Sequence, residues 1–275
     1  MVVVFALIAA VTYGLSDFVG GVFSRRISPW TIALMAQVGG AICIVILGLV
    51  TDGSPTRDDL GWALLAGLGN GVGTAFLYRG LAGGRMGVVA PVSGVGAALV
   101  PIVVGVLTGE RPAALAWFGI AIAIPAIWLV AREPTPTSVS TSGLVDGVLA
   151  GLGFGTLFAA LAQIPEESGF LPLALNQVVG VLVVIAVAIA LRQPWVPRTP
   201  RAALGLISGL LGATATVLFL LATQTGFLTI SAVITSLYPA FTVLLAAIVL
   251  REHIHRDQAI GLALCALTVG LVAAA

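Results

Sequence analysis

The sequence predicts an all-α integral membrane protein, with ten transmembrane helices arranged as two inverted five-helix repeats. Three observations lead there. First, of 275 residues 59% are hydrophobic and only 8% charged, with a mean hydropathy of +1.15. A soluble domain carries about 25% charged residues, so lipid must be the solvent for most of this surface. Second, charged or Pro/Gly-rich breaks divide the chain into ten apolar runs, each close to the about 20 residues that cross a bilayer. Third, the two halves of the chain superpose on one another in sequence.

The runs, in order, are Val2–Phe23, Pro29–Val50, Leu60–Leu81, Gly87–Thr108, Ala113–Ala131, Gly143–Ala162, Phe170–Leu191, Ala202–Thr223, Thr229–Leu250 and Gln258–Ala275. The N-terminal MVVVFALIAA lacks a basic flank, so it reads as the first span rather than a cleaved leader. The longest breaks start at Thr51, Arg132 and Arg192, and none has room for a soluble domain.

A shift of 142 residues, without gaps, places Gly67 on Gly209, Thr74 on Thr216, Gly84 on Gly226, Ser93 on Thr235, Glu110 on Glu252 and Gly119 on Gly261. Earlier in each half the shift is slightly smaller. It pairs Ala9–Gly14 with Ala150–Gly155, Asp17 with Phe158, and Gln37 with Gln177. The expected organisation is a first repeat over residues 1–132, a linker over 133–142 and a second repeat over 143–275. Five spans per half is an odd number, so the second half enters from the opposite face. Inverted repeats with a site between them are a recurrent plan for secondary transporters.

Several functions find no support. The net charge is +1, which gives nucleic acid no basic surface to bind. Cys43 and Cys265 both sit in apolar runs and make no disulfide framework. No zinc-ligand spacing, HExxH, GxSxG or P-loop occurs, so neither an enzyme, a metal, a cofactor nor an ATP motor is expected.

Chemistry is sought in polar residues at membrane depth, because burying them in lipid is costly. Asp17 lies well inside the first span, and Tyr13 precedes it on the same helix face. A carboxyl withdrawn from water is a candidate proton carrier, and Asp17 is the proton-coupling candidate here. The bland alternative is a structural Asp bonded to a neighbouring helix. Asn70, Thr74 and Tyr78, each four apart, form a polar stripe on the third span. Arg79 beside it either snorkels to the headgroups or reaches the interior and holds Asp17 charged. Ser231, Thr235, Tyr238 and Thr242 form a longer stripe on the ninth span, where Pro239 should loosen the backbone. Ser93 is its counterpart on the fourth span, which carries Pro91 and Pro101 instead. The alternative for these hydroxyls is bonding back to their own helix carbonyls. Gly67, Gly69, Gly71 and Gly73, with Gly205 and Gly209, permit close helix approach. Trp117, Trp128 and Trp195 fit interfacial belts.

Gly109-Glu110 followed by Gly119, repeated as Arg251-Glu252 followed by Gly261, stand at the fourth-to-fifth and ninth-to-tenth junctions. With ten short spans in two halves, the whole chain resembles the EamA type of the drug/metabolite transporter superfamily. The string Ser16-Asp17-Phe18-Val19-Gly20 also looks like the first helix of small multidrug resistance proteins, where a membrane carboxylate exchanges protons for substrate. The resemblance implies a multi-pass protein of the cell (inner) membrane that exports small metabolites such as amino acids by alternating access, acting as a monomer. It implies a central cavity lined by helices 1, 3, 4, 6, 8 and 9. Tyr13, Asp17, Asn70, Thr74, Tyr78, Ser93, Ser231, Thr235 and Tyr238 are then the expected substrate contacts, and Gln37 and Gln177 bond between helices outside the cavity. The alternative from another class is a lipid-handling, scramblase-like protein whose polar stripes form a groove open to lipid.

Orientation draws two opposed expectations. Loops of odd number hold Arg25, Arg26, Arg85, Arg132, Arg192, Arg198, Arg201, Arg251 and Arg256, and even loops hold Arg57 and Arg111. Positive-inside reasoning makes the odd loops cytoplasmic and the termini external. The resemblance implies cytoplasmic termini.

Overall fold

The computed structural model describes residues 1–82, 86–131, 141–251 and 253–275. Arg85, Arg132, Gly84, Glu252 and nearly all of the expected linker fall outside these, so the Gly84/Gly226 and Glu110/Glu252 matches are not seen from both sides. Among the described residues the chain is helical and without strands. It runs α1 (Val2–Ser24), α2 (Pro29–Val50), α3 (Arg57–Ala82), α4 (Met86–Leu107), α5 (Ala114–Ala131), α6 (Thr141–Leu161), α7 (Leu171–Ala190), α8 (Gly205–Gln224), α9 (Leu228–Thr235), α10 (Tyr238–Val249) and α11 (Arg256–Ala273). Helix is the form in which each backbone N–H finds a partner without water, which lipid requires. Eight spans are long and apolar enough to cross a membrane, and Val92–Leu107 and Ala114–Val130 are shorter apolar helices. The ten spans match the ten apolar runs, with α9 and α10 together forming the ninth. An even number of crossings leaves both termini on one face and the arginine-rich loops on the other.

The break in the ninth span follows from Pro239. Its ring nitrogen has no hydrogen to offer the Thr235 carbonyl four residues back. The N–H of Ser236 closes α9 on the Ala232 carbonyl at 2.8 Å, and the N–H of Ala240 turns to Leu237 at 2.9 Å. The helix restarts at Tyr238. Residues 231–240 are all buried, which is where a membrane protein tolerates irregular backbone. The Ser236 Oγ is left without a partner among the described residues.

Glycines set the closest contacts. Along α3 they alternate between two neighbours: Gly69 and Gly73 press on Gly153 and Phe154 of α6, while Gly67 and Gly71 press on Val179 and Val183 of α7. A Cβ at any of them would collide, so α3 is wedged between α6 and α7 by its small residues. Gly205 and Gly209 do the same for α8 against α2.

Helix partners come in exchanged pairs. The α1–α8 contact is matched by α3–α6, α2–α8 by α3–α7, and α4–α6 by α1 with α9 and α10. The α2–α7, α4–α9 and α5–α11 contacts are each their own counterpart. Gly109 and Arg251, aligned by the 142-residue shift, both adopt left-handed backbone, with φ of 99° and 56°. Large apolar side chains such as Ile46, Leu49, Phe118, Leu182 and Ile248 face outward, as expected of a surface solvated by lipid.

Glu110 belongs to the first half but serves the second. Its carboxylate accepts the backbone N–H groups of Leu228 and Thr229, the latter at 2.9 Å. These are orphan donors at the start of α9, and a negative charge there also suits the helix dipole. Glu110 thus caps a helix of the other half.

Candidate functional site

A central cavity opens where α1, α2, α3, α6, α7 and α8 meet. Its volume is about 50 Å³, room for a few waters rather than for a metabolite. Five of the expected site residues line it together: Tyr13, Asp17, Asn70, Thr74 and Tyr78. The spacing of four along α1 and α3 explains why they share faces.

Asp17 is half-buried, and no hydrogen bond or ion pair reaches its carboxylate from the described residues. Arg79 does not hold it. Its guanidinium pairs instead with Asp146 of α6, with Nε 2.8 Å from Oδ1, and lies 4.4 Å from the Phe76 ring centroid. Asp146 is buried at 2% exposure, so a second carboxylate lies deep in the protein, but a neutralised one. The expectation that Arg79 snorkels or reaches Asp17 is replaced by this α3–α6 ion pair.

Beside Asp17, three hydroxyls tie α1, α3 and α8 together. Tyr78 Oη lies 2.6 Å from Ser208 Oγ, and Ser208 Oγ lies 3.1 Å from Ser16 Oγ. Gly20 leaves the space into which the Tyr78 hydroxyl fits. Tyr13 Oη meets Thr216 Oγ1 at 2.8 Å, also joining α1 to α8.

An amide cluster forms the other polar wall. Gln37 Nε2 donates to Asn70 Oδ1 and to Thr74 Oγ1, both at 3.0 Å. Asn70 Nδ2 donates to Gln177 Oε1 at 2.7 Å. The repeat-related pair Gln37 and Gln177 therefore grips Asn70 from two sides. Both glutamines line the cavity, which corrects the expectation that helices 2 and 7 lie outside it. The Asn176 Nδ2 next to this cluster is buried without a partner among the described residues. Ser208 was not named from the sequence, and Ser16 only within the string around Asp17. The only signal for them is their neighbourhood, a serine directly before Asp17 and one directly before Gly209.

The other expected contacts sit elsewhere. Ser231 Oγ bonds back to the Phe227 carbonyl at 3.0 Å, and Thr235 Oγ1 reaches the Ala6 carbonyl at 3.4 Å. Ser93 Oγ lies 3.3 Å from Tyr238 Oη. Tyr238 places its ring centroid 6.4 Å from that of Tyr13 and does not line the cavity. The ninth-span stripe thus binds α9 and α10 to α1 and α4. No group of acidic, His and Cys side chains among the described residues could hold a metal.

Known proteins resemble the chain at the level of family and fold. No curated protein matches it. A solved structure titled "Crystal structure of protein" superposes with a TM-score of 0.70 at 15% identity, covering 96% of this chain and 98% of the other. That likeness concerns the fold alone. The model of the EamA-like transporter family matches residues 1–132 and again 141–274. Ten apolar spans, six of which line a central cavity, with a family model matched twice along nearly the whole length, place this multi-pass membrane chain in the EamA-like transporter family of the drug/metabolite transporter superfamily.

Proposed function

We propose that this protein is a gradient-driven secondary transporter that exports small metabolites, such as amino acids or related compounds, by alternating access in the inner membrane. The observation that carries the reading is Asp17: a carboxylate without a partner among the described residues, lining a central cavity whose other lining residues are all uncharged. Such a group can take up a proton or a cationic moiety of the substrate, and exchanging one for the other couples transport to a gradient. The two halves act as inverted repeats. Five spans in each half and the exchange of helix partners support this. The narrow cavity then belongs to a closed arrangement, which widens when the halves rock about the α3–α6 and α2–α8 glycine contacts.

Reconstitution into liposomes tests this. Labelled amino acids and organic amines are offered with and without an imposed pH gradient. Accumulation that collapses with the gradient is the expected result. Failure to move any compound, with folded protein in the bilayer, contradicts the reading.

A further inference from the structure

A second recess, far larger than the central cavity at about 470 Å³, lies on the arginine-rich face between the α1–α2 turn and the loop from α7 to α8. The transport reading does not use it. Arg26 enters from the first segment and Arg198 from the second, and no carboxylate is in the lining. Neither guanidinium makes an ion pair with a described residue. Two like charges from sequence-distant loops on one recess repel, and nothing described on the protein side offsets them.

The recess is held in shape. Ser28 Oγ donates to the Pro194 carbonyl at 2.6 Å, and Thr31 Oγ1 donates to the same oxygen at 3.3 Å. These bonds pin the two loops together. Pro194, Pro197 and Pro200 stiffen the segment that carries Arg198. Trp195, half-buried, packs on the apolar cluster around Trp30 and forms an aromatic wall of the recess. Thr199 lines the recess too, and its hydroxyl is not spent on a described partner.

We propose that this recess binds a phosphate-bearing anion through Arg26 and Arg198, the group being supplied by an anionic phospholipid headgroup or by a free phosphate ester. Guanidinium groups match phosphate oxygens bidentately. Basic pockets between helices at the membrane surface suit acidic headgroups, and each guanidinium adds about fivefold in affinity. Trp195 and Val196 supply the apolar flank that the glycerol and upper acyl region of a lipid would meet.

Native mass spectrometry of the detergent-purified protein, mixed with equal amounts of phosphatidylglycerol and phosphatidylcholine, is one arm. Thermal stability with glycerol 3-phosphate in solution is the other. Preferential retention of phosphatidylglycerol, reduced about fivefold by Arg26→Gln or Arg198→Gln and further by both, supports a lipid site. Stabilisation by glycerol 3-phosphate that disappears in the double variant supports a free phosphate ester. Arg256→Gln, on the same face but outside the recess, should change neither. The proposal is overturned if neither phosphatidylglycerol is retained over the zwitterionic phosphatidylcholine nor glycerol 3-phosphate stabilises the protein, or if the preference survives the double variant. Loss caused equally by Arg256→Gln also overturns it, because the face charge rather than the recess would then be responsible. Arg26→Lys with Arg198→Lys keeps the charge and guards against misfolding; it should retain part of the preference.

Discussion

The wall that α1 and α3 present to the cavity and the wall that their repeat counterparts α6 and α8 present are built on the same frame with opposite chemistry. Where α1 places Tyr13, Ser16 and Asp17, α6 places Phe154, Leu157 and Phe158. Where α3 places Asn70 and Tyr78, α8 places Gly212 and Leu220. Phe158 stacks on Phe219 with centroids 4.4 Å apart and is buried, whereas Asp17 meets open space. Two pairs agree: Gln37 with Gln177, and Thr74 with Thr216, all four lining the cavity. The difference teaches that repetition supplies the packing and divergence supplies the site. Glycine contacts need both halves to match, while a polar group needs to be present in one half only.

The largest stability effect should come from the ion pair that one half has and the other lacks. Arg79 and Asp146 correspond to Leu221 and Phe5, an apolar pair. Arg79→Leu leaves Asp146 buried and unpaired, and should cost about 3 kcal/mol in detergent unfolding. Replacing both residues by their counterparts, Leu and Phe, should recover most of that loss. If the double variant is no better than the single one, the pair and its apolar mirror are not interchangeable.

Asn70→Gly copies its counterpart Gly212 and strips both glutamines of their central partner. About 2 kcal/mol should be lost, because Gln37 and Gln177 keep buried polar atoms without bonds. Transport should fall with it, beyond what the loss of folded protein accounts for. A variant with parent-like stability would show that the amide cluster rearranges freely.

The spans were legible in the sequence because lipid imposes apolar runs, and the ninth-span break was legible in Pro239. Asp17, Asn70, Thr74 and Tyr78 were legible because polar residues four apart inside an apolar run stand out. The cavity role of Gln37, Gln177, Ser16 and Ser208 was not. In a membrane helix both the lipid-facing and the protein-facing sides are apolar, so periodicity does not say which side turns inward. Ser231 and Thr235 bond to helix carbonyls here, and in sequence such a hydroxyl looks like one that faces a substrate. The pairing of Arg79 with Asp146 was hidden because the two residues stand 67 positions apart and no spacing rule joins them.

The smallest effect concerns the helix ends. Gly109 and Arg251 hold the same left-handed backbone, which costs a residue with a side chain about 1 kcal/mol. Arg251→Gly should therefore stabilise the protein by up to about 1 kcal/mol in the same unfolding assay. A loss instead would mean that the Arg251 side chain contributes more than its backbone costs.

The proposal is that a repeated frame carries one coupling group, the carboxylate of Asp17, which has no partner among the described residues. Transport by Asp17→Asn in liposomes, with and without a pH gradient and beside the parent, tests it most directly. The account predicts that the variant still exchanges substrate down its own gradient but no longer concentrates it when protons are supplied. If Asp17→Asn concentrates substrate as well as the parent does, Asp17 is not the coupling group and the claim is wrong.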